Sequence, residues 1–273
     1  MPNPLMQEFH SYTPTGDCLS FWWLGQLGYL VKTPKAALCF DPFLRPGKTR
    51  TVPPLLAPED LTGIDYVFGS HDHGDHIDHY AWSGIAAASP QARFVVPEKL
   101  VEKLSAEFAI PLSRFVGLDE GKTYRDEEKD LTLRGIAAAH ELLNPDPVTG
   151  LHDAISFLVD AGGLRLYHSG DTCKYEGLET KLISYQPIDL MFLPINGRDA
   201  VRYTGNCIGN MNFAEAVDLV GAVAPGLAVP GHYEMFAMNS EDPARFTDYL
   251  NAKYPGRKYW VGAHGVLVEV TGR

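Results

Sequence analysis

The sequence predicts a layered α/β domain, and three observations carry that expectation. Short β-rich runs alternate with helical patterns along the chain, the mark of sheets covered by helices. The 273 residues, 45% of them hydrophobic, are enough to bury a sizeable core. No repeat period, low-complexity segment or Ser/Gly linker divides the chain, so one domain over residues 1–273 is expected.

The early runs LSFWWL, GYLVKT and AALCFD are separated by GQLG and TPKA, whose Gly and Pro favour turns, and they predict a meander. Further strands are expected at DYVFGS, RFVVP, LTLRGIAAA, ISFLVD, LRLYHSGD, IDLMFLP, GLAVPGH and KYWVGAHGVLVEV. Most of these runs end in a polar residue able to serve a site. PEKLVEKLSAEF reads as a helix with Pro97 at its first position, and NFAEAVDLVGAV as one in which Asn212 and Glu215 have capping-box spacing. DPARFTDYLNAKY is a third helix. The loops RPGKTRTVPPLLAPED and GRDAVRYTGNCIGN are long enough to be functional.

Composition excludes several function classes. A formal charge of −11 with no basic tract opposes nucleic acid as a partner, and a small anionic substrate would need its own local Arg or Lys. The start, MPNPLMQEFHSYTPTGDC, lacks a signal-peptide pattern and no apolar run approaches a membrane span, so a cytoplasmic protein without membrane contact is expected. Cys18, Cys39, Cys173 and Cys207 form no Cys-x-x-Cys pair and read as buried thiols of a reducing compartment.

Chemistry concentrates in GSHDHGDHIDHY, which follows the strand DYVF. His71 and His73 alternate by two and point the same way from an extended segment, and Gly74 permits a turn that brings Asp75 and His76 to a second position. A helix is expected from near Ile77. Two nitrogen ligands, a carboxylate and a further nitrogen suit a pair of closely spaced divalent ions. Asp41, ending the strand CFD, either orients a ligating His from behind or simply forms an Asp-Pro turn.

His71-x-His73-x-Asp75-His76 resembles the signature of the metallo-β-lactamase fold hydrolases. The resemblance implies a four-layer αββα sandwich, with further ligands at His140 in GIAAAHELL, Asp171 in LYHSGDT and His232 in AVPGHYEMF. One ion would be held by His71, His73 and His140, the other by Asp75, His76 and His232, with Asp171 between them. WWLG, LYHSGD, NGR and HYEMFAMNSEDPARF further resemble the branch containing L-ascorbate-6-phosphate lactonase. That branch implies manganese, the superfamily at large zinc, and the donor set also admits iron(II). The expected reaction is opening of a sugar or sugar-phosphate lactone by a hydroxide shared between two ions, with Asp75 and Asp171 as catalytic carboxylates.

His168 is expected to support the ligands or to pack, His264 to line the pocket rim from behind them, His152 to rank after His140 as a ligand, and His79 to sit in a first helical turn. Arg198 and Arg202, with Tyr203, are candidates for an anionic substrate group, against the alternative that neighbouring acids pair them. A phosphodiesterase or tRNase-like nuclease is the rival activity and a non-catalytic metal-binding scaffold the third reading. A homo-oligomer is compatible with the branch.

Overall fold

The alternation of the early strands decides the architecture. β1 (Cys18–Gly25) sends Leu19, Phe21 and Trp23 to one face and Trp22 and Leu24 to the other, and all five are buried. A strand buried on both faces belongs to a sheet with a layer on each side. β2 (Gly28–Lys32), β3 (Ala37–Phe40), β4 (Tyr66–Phe68) and β5 (Arg93–Pro97) repeat the pattern, with Tyr29, Phe40, Phe68 and Val95 on the side of Phe21 and Leu30, Cys39, Val67 and Phe94 opposite. The structure, a computed structural model, describes residues 3–272.

β6 (Phe115–Leu118) extends this sheet. The second sheet holds β7 (Thr123–Asp126), β8 (Leu131–Ala137), β9 (Ile155–Ala161), β10 (Leu164–His168), β11 (Leu190–Pro194) and β12 (Leu227–Gly231), after which β13 (Leu267–Thr271) returns to pair with β1. The resulting orders are β13-β1-β2-β3-β4-β5-β6 and β12-β11-β10-β9-β8-β7. The expected antiparallel meander is β1-β2-β3, whereas β3-β4-β5-β6 and β10-β11-β12 are parallel. Leu133, Phe157 and Phe192 of the second sheet join Phe21 and Phe40 in the central core.

Helices cover the outer faces. α1 (Pro4–Ser11), α2 (Trp82–Ala88) and α3 (Val101–Phe108) contribute Phe9, Trp82 and Leu104 to the core outside the first sheet. On the second sheet lie α4 (Leu178–Ser184), α6 (Phe213–Val223) and α7 (Pro243–Lys253), with Leu182, Val217, Val220 and Leu250 buried, while the short α5 (Ala200–Thr204) buries no side chain. The result is the αββα sandwich that the motif resemblance implies. No helix among the described residues is long and apolar enough to cross a membrane.

Four local expectations differ from the structure. Residues 73–81 form turns, and the helix expected from Ile77 begins at Trp82, because the Asp78 carboxylate accepts from the N–H groups of Leu44 and Arg45 and ties this segment to the loop after β3. Gly74 has no close neighbour and no left-handed backbone, so the turn does not depend on it. The demanding glycine is Gly170, at φ 55° and with room for a Cβ only 2.6 Å from Ser70. Pro97 ends β5 and precedes the helical segment instead of opening it. KYWVGAHGVLVEV is a strand only over Leu267–Thr271, since Gly265 takes φ 70° and Tyr259 makes a single bridge to Ala228.

The Asn212 cap forms as its spacing predicts: its side chain accepts from the N–H groups of Ala214 and Glu215 at 3.0 Å each, and Glu215 accepts from the Asn212 N–H at 3.0 Å. Replacing the cap side chain removes the acceptor for two donors at the start of α6. Asn212→Ala is expected to cost about 1 kcal/mol of stability, read as a lower urea midpoint with an unchanged slope.

Candidate metal centre

Every residue of the site follows the carboxyl end of a strand. Asp41 follows β3, the His71–His76 turn follows β4, His140 follows β8, Asp171 follows β10 and His232 follows β12. These ends share one edge of the sandwich, where loops are free to carry function while the strands behind them stay fixed. A bridge between His71 and Ala154 joins the first sheet to the segment leading into β9, closing the edge across both sheets.

The structure brings the seven expected ligands together. His71, His73 and His140 have ligating atoms within 4.8 Å of one another, as do Asp75, His76 and His232, and a third such group is His71, His76 and Asp171. Asp171 stands between the first two groups: its oxygens lie 3.3 Å from His76 Nε2, 3.3 Å from His232 Nε2 and 3.9 Å from His140 Nε2. Asp75 Oδ2 is 3.6 Å from His76 Nε2 and 3.4 Å from His232 Nε2. His71 Nε2, His76 Nε2 and Asp171 Oδ1 are buried without a hydrogen-bond partner. Leaving three such atoms unmade inside a protein is costly, and a cation among them would satisfy all three at once. Imidazole and carboxylate donors fit zinc, manganese or iron(II), so the residues present fit the divalent ions the motifs imply.

Outer contacts fix the rings. Asp41 Oδ2 lies 2.6 Å from His76 Nδ1, leaving Nε2 to face the cluster, so Asp41 orients a histidine and is more than a turn former. Its other oxygen accepts from the Ser70 N–H at 2.8 Å, and Ser70 Oγ sits 2.6 Å from Asp41 and 3.1 Å from His71 Nδ1. Gln26 Nε2 donates to Asp75 Oδ2 at 2.8 Å and lies 3.3 Å from His232 Nε2. The Gln26 N–H donates to Glu234 at 2.9 Å, and Glu234 also meets His264 Nε2 at 3.2 Å. Ser70, Gln26 and Glu234 escape a sequence reading because none has a motif spacing of its own. Gln26 in particular looks like part of a plain hairpin turn.

The remaining histidines are placed as follows. His168 stacks on Phe40, contacts the Leu27 carbonyl at 2.8 Å and accepts from the Gly170 N–H at 3.2 Å, so it packs and also holds the turn that carries Asp171. His264 packs against Trp23 with ring centroids 4.1 Å apart, and Glu234 and Gln26 link it to the cluster. His152 is held by Asp119 at 2.6 Å, and His79 by Asp72 and Glu107, in a turn and not a helix.

The arginines expected to hold substrate are spent on the fold. Arg198 makes two 2.7 Å bonds to Glu215, and Arg202 donates to the carbonyls of Asn196 and Ser240 while meeting Asp199 at 3.2 Å. Neither they nor Tyr203 line the cavity of about 710 Å³ that opens on His73, Asp75, His140, Asp171 and His232. The same loop does overhang the cluster, through residues 205–208.

Charge in the cluster is strongly coupled. Burial disfavours the ionised forms of Asp75 and Asp171, but His76 and His232 outweigh it and hold both carboxyls below the ordinary range. Burial likewise works against charge on His76 and His232, yet Asp171 and Asp75 raise both, His232 to about 10. His71 and His140 go the other way: burial, aided by neighbouring imidazoles, lowers both, His140 to about 4. The two carboxylates thus favour positive charge on the groups around them.

Residues 37–233 match the β-lactamase superfamily domain. The metal-dependent hydrolase UPF0173 of Opitutus terrae is 30% identical over 91% of this chain and 98% of its own, and that of Pyrococcus abyssi 29% over 84% and 91%. Among solved structures, the metallo hydrolase Igni18 of Ignicoccus hospitalis superposes with a TM-score of 0.72 at 20% identity, covering 94% of this chain and all of that one. An isothiocyanate hydrolase from Delia radicum gut bacteria superposes at 0.71 with 16% identity, over 93% and 100%. The chain belongs to the metal-dependent hydrolases of the β-lactamase superfamily.

Two outcomes follow from the site. Asp41→Asn leaves the shape but weakens the hold on His76, and metal affinity measured by chelator competition is expected to fall roughly 10- to 100-fold. A group whose pKa is raised on folding stabilises below its unfolded value and loses that contribution as pH rises through the folded one. For His232 the window runs from about 6.5 to about 10. Thermal melts of chelated protein should therefore decline across that window while melts of metal-loaded protein do not.

Proposed function

Taking membership of that superfamily as the premise, we propose that the protein is a lactone or ester hydrolase carrying two divalent ions, acting on a small anionic substrate such as a sugar-phosphate lactone. His71, His73 and His140 would hold one ion, Asp75, His76 and His232 the other, with Asp171 shared. The observation that supports this most is the sharing itself: one buried carboxylate touches the ligand groups on both sides, beside a cavity large enough for a small molecule. Divalent ions in such a pair supply an activated water at neutral pH and polarise a carbonyl.

The chain's own residues do the rest. Asp75 lines the cavity, and Gln26 fixes its Oδ2, so this carboxylate accepts the hydrogen bond of the attacking water and sets its approach. Asp171, nearly closed to solvent, holds the two ligand groups at a fixed separation. Ser169 of the HSGD run is no nucleophile: it donates to the Gly170 carbonyl and is fully buried.

The test is metal analysis of the purified protein coupled to turnover of a panel of sugar lactones, phosphorylated sugar lactones and phosphodiesters. Metal-dependent ring opening is expected, and Asp171→Ala should lower both metal content and kcat/KM, the latter by a factor on the order of 10² or more. Turnover of phosphodiesters alone would replace the lactonase reading with the nuclease one. Full metal content and activity in Asp171→Ala would undo the shared-carboxylate assignment.

A further inference from the structure

Two cavities meet at the cluster, and their charges differ. One, of about 480 Å³, lies against His71, His73 and His140, and its single cation, Lys103, is paired with Asp72. The other, of about 710 Å³, is walled by Lys48 and Arg50 from the loop after β3 and by Ile208, Phe236 and Met238 opposite. A recess of about 350 Å³ adjoins it, shares Arg50, Asp75 and Phe236, and adds Arg45.

Among the described residues Arg45, Lys48 and Arg50 make no direct ion pair, although Arg50 feels the charges of Asp78 and Glu234. Arg50 donates to the carbonyls of Val52, Phe43 and Arg45, stacks on the Phe43 ring at 4.3 Å, and keeps Nη2 buried and unpartnered. Arg45 and Lys48 are exposed. In a chain of formal charge −11, where Lys99 and Lys103 near the other cavity are paired with carboxylates, this loop places three cations without a direct ion pair on six residues beside the ligand cluster, and Arg45 and Lys48 are the two of them that are exposed. Across the cavity Asn206, Cys207 and Asn239 accompany an apolar strip of half-buried Ile208 and Phe236 with Met238, which is 67% exposed.

We propose that the loop Arg45-Pro-Gly-Lys48-Thr-Arg50 is the substrate's anion site: the larger cavity takes an organic anion whose carboxylate or phosphate meets Lys48 there and reaches Arg45 where the adjoining recess opens, backed by the fixed charge of Arg50. Its apolar body lies on Ile208, Phe236 and Met238, and its reactive end faces Asp75 and Asp171. This deepens the hydrolase reading by naming the recognition element, a part that Arg198 and Arg202, paired and outside the cavity lining, are not placed to take, and it rests on that reading only for what happens at the reactive end. An exposed ammonium offers three donors on a flexible stem and follows an incoming anion without breaking any internal contact.

The test is calorimetric binding of monohexyl phosphate to the metal-loaded protein, comparing wild type with Lys48→Gln and with Arg45→Gln/Lys48→Gln. Lys35→Gln, at the far end of the β2-β3 hairpin, makes the same change of charge as Lys48→Gln away from the cavity. Loss of the two loop cations is expected to weaken binding roughly tenfold, with a shallower salt dependence, and Lys48→Gln alone roughly threefold. Lys35→Gln should leave binding as in wild type. If the double variant binds as wild type, the phosphate is held by the ions alone and the proposal falls; a loss from Lys35→Gln equal to that from Lys48→Gln reduces it to bulk charge and also overturns it. The readout is binding, so a protein that opens no lactone yet loses affinity in the double variant keeps the anion site and discards the lactonase reading.

Discussion

Two carboxylates held beside each other inside the protein are the constraint from which the rest of the site follows. Asp171 is buried, Asp75 is largely so, and both contact the same Nε2 of His76 and of His232. Anions at this separation out of water repel each other strongly and lose hydration as well. The fold answers with imidazoles on every side and leaves several of their nitrogens without other partners. A cluster of carboxylates and imidazoles that demands cations so strongly fits divalent metal, whose charge offsets both anions at once.

Gathering them strains the backbone in specific places. Gln26, Asp41 and His232 all take left-handed conformations, at φ 53°, 37° and 58°, that residues with a Cβ rarely adopt. Each lies where the chain leaves a strand at the site edge and must turn at once to aim its side chain inward. The strain is held by local bonds: the Gln26 carbonyl accepts from the N–H of His232 and from Trp23 Nε1, both at 3.0 Å, and the Asp41 N–H donates to the Phe68 carbonyl at 2.9 Å. The sheets are thus the rigid frame against which three unfavourable turns are kept.

This separates what could be read in the sequence from what could not. His71, His73, Asp75 and His76 were legible because strand and turn spacing within six residues already forces them together. His140, Asp171 and His232 were legible only through resemblance, since their placement depends on which strands become neighbours, information no local spacing contains. The meander and the capped α6 were local and therefore visible. β6, β7 and α1 were not: β7 reads TYRD, half-exposed and without an apolar face, and it is a strand because β8 pairs with it. Gln26 illustrates the limit well, for its role is fixed by Asp75 and Glu234, which lie 49 and 208 residues away in the chain.

The misplaced arginines carry a more general point about how this chain uses its cations. Arg50, Arg114, Arg198 and Arg202 each donate to backbone carbonyls, and between them they pin loops at both ends of the sandwich. A planar guanidinium with five donors suits that task, because one side chain can satisfy several carbonyls that a helix end or turn leaves open. An arginine in a long loop is therefore as readily a staple as an anchor, and its sequence context does not distinguish the two. What distinguishes them is the presence of acceptors around the head group. Arg198 has Glu215 and the Asn210 carbonyl, so moving it to a ligand would strand a carboxylate that also caps α6. Lys48 has no such obligation, and for that reason the positive charge free to respond to a substrate lies in the loop after β3 and not in the loop that carries Arg198 and Arg202.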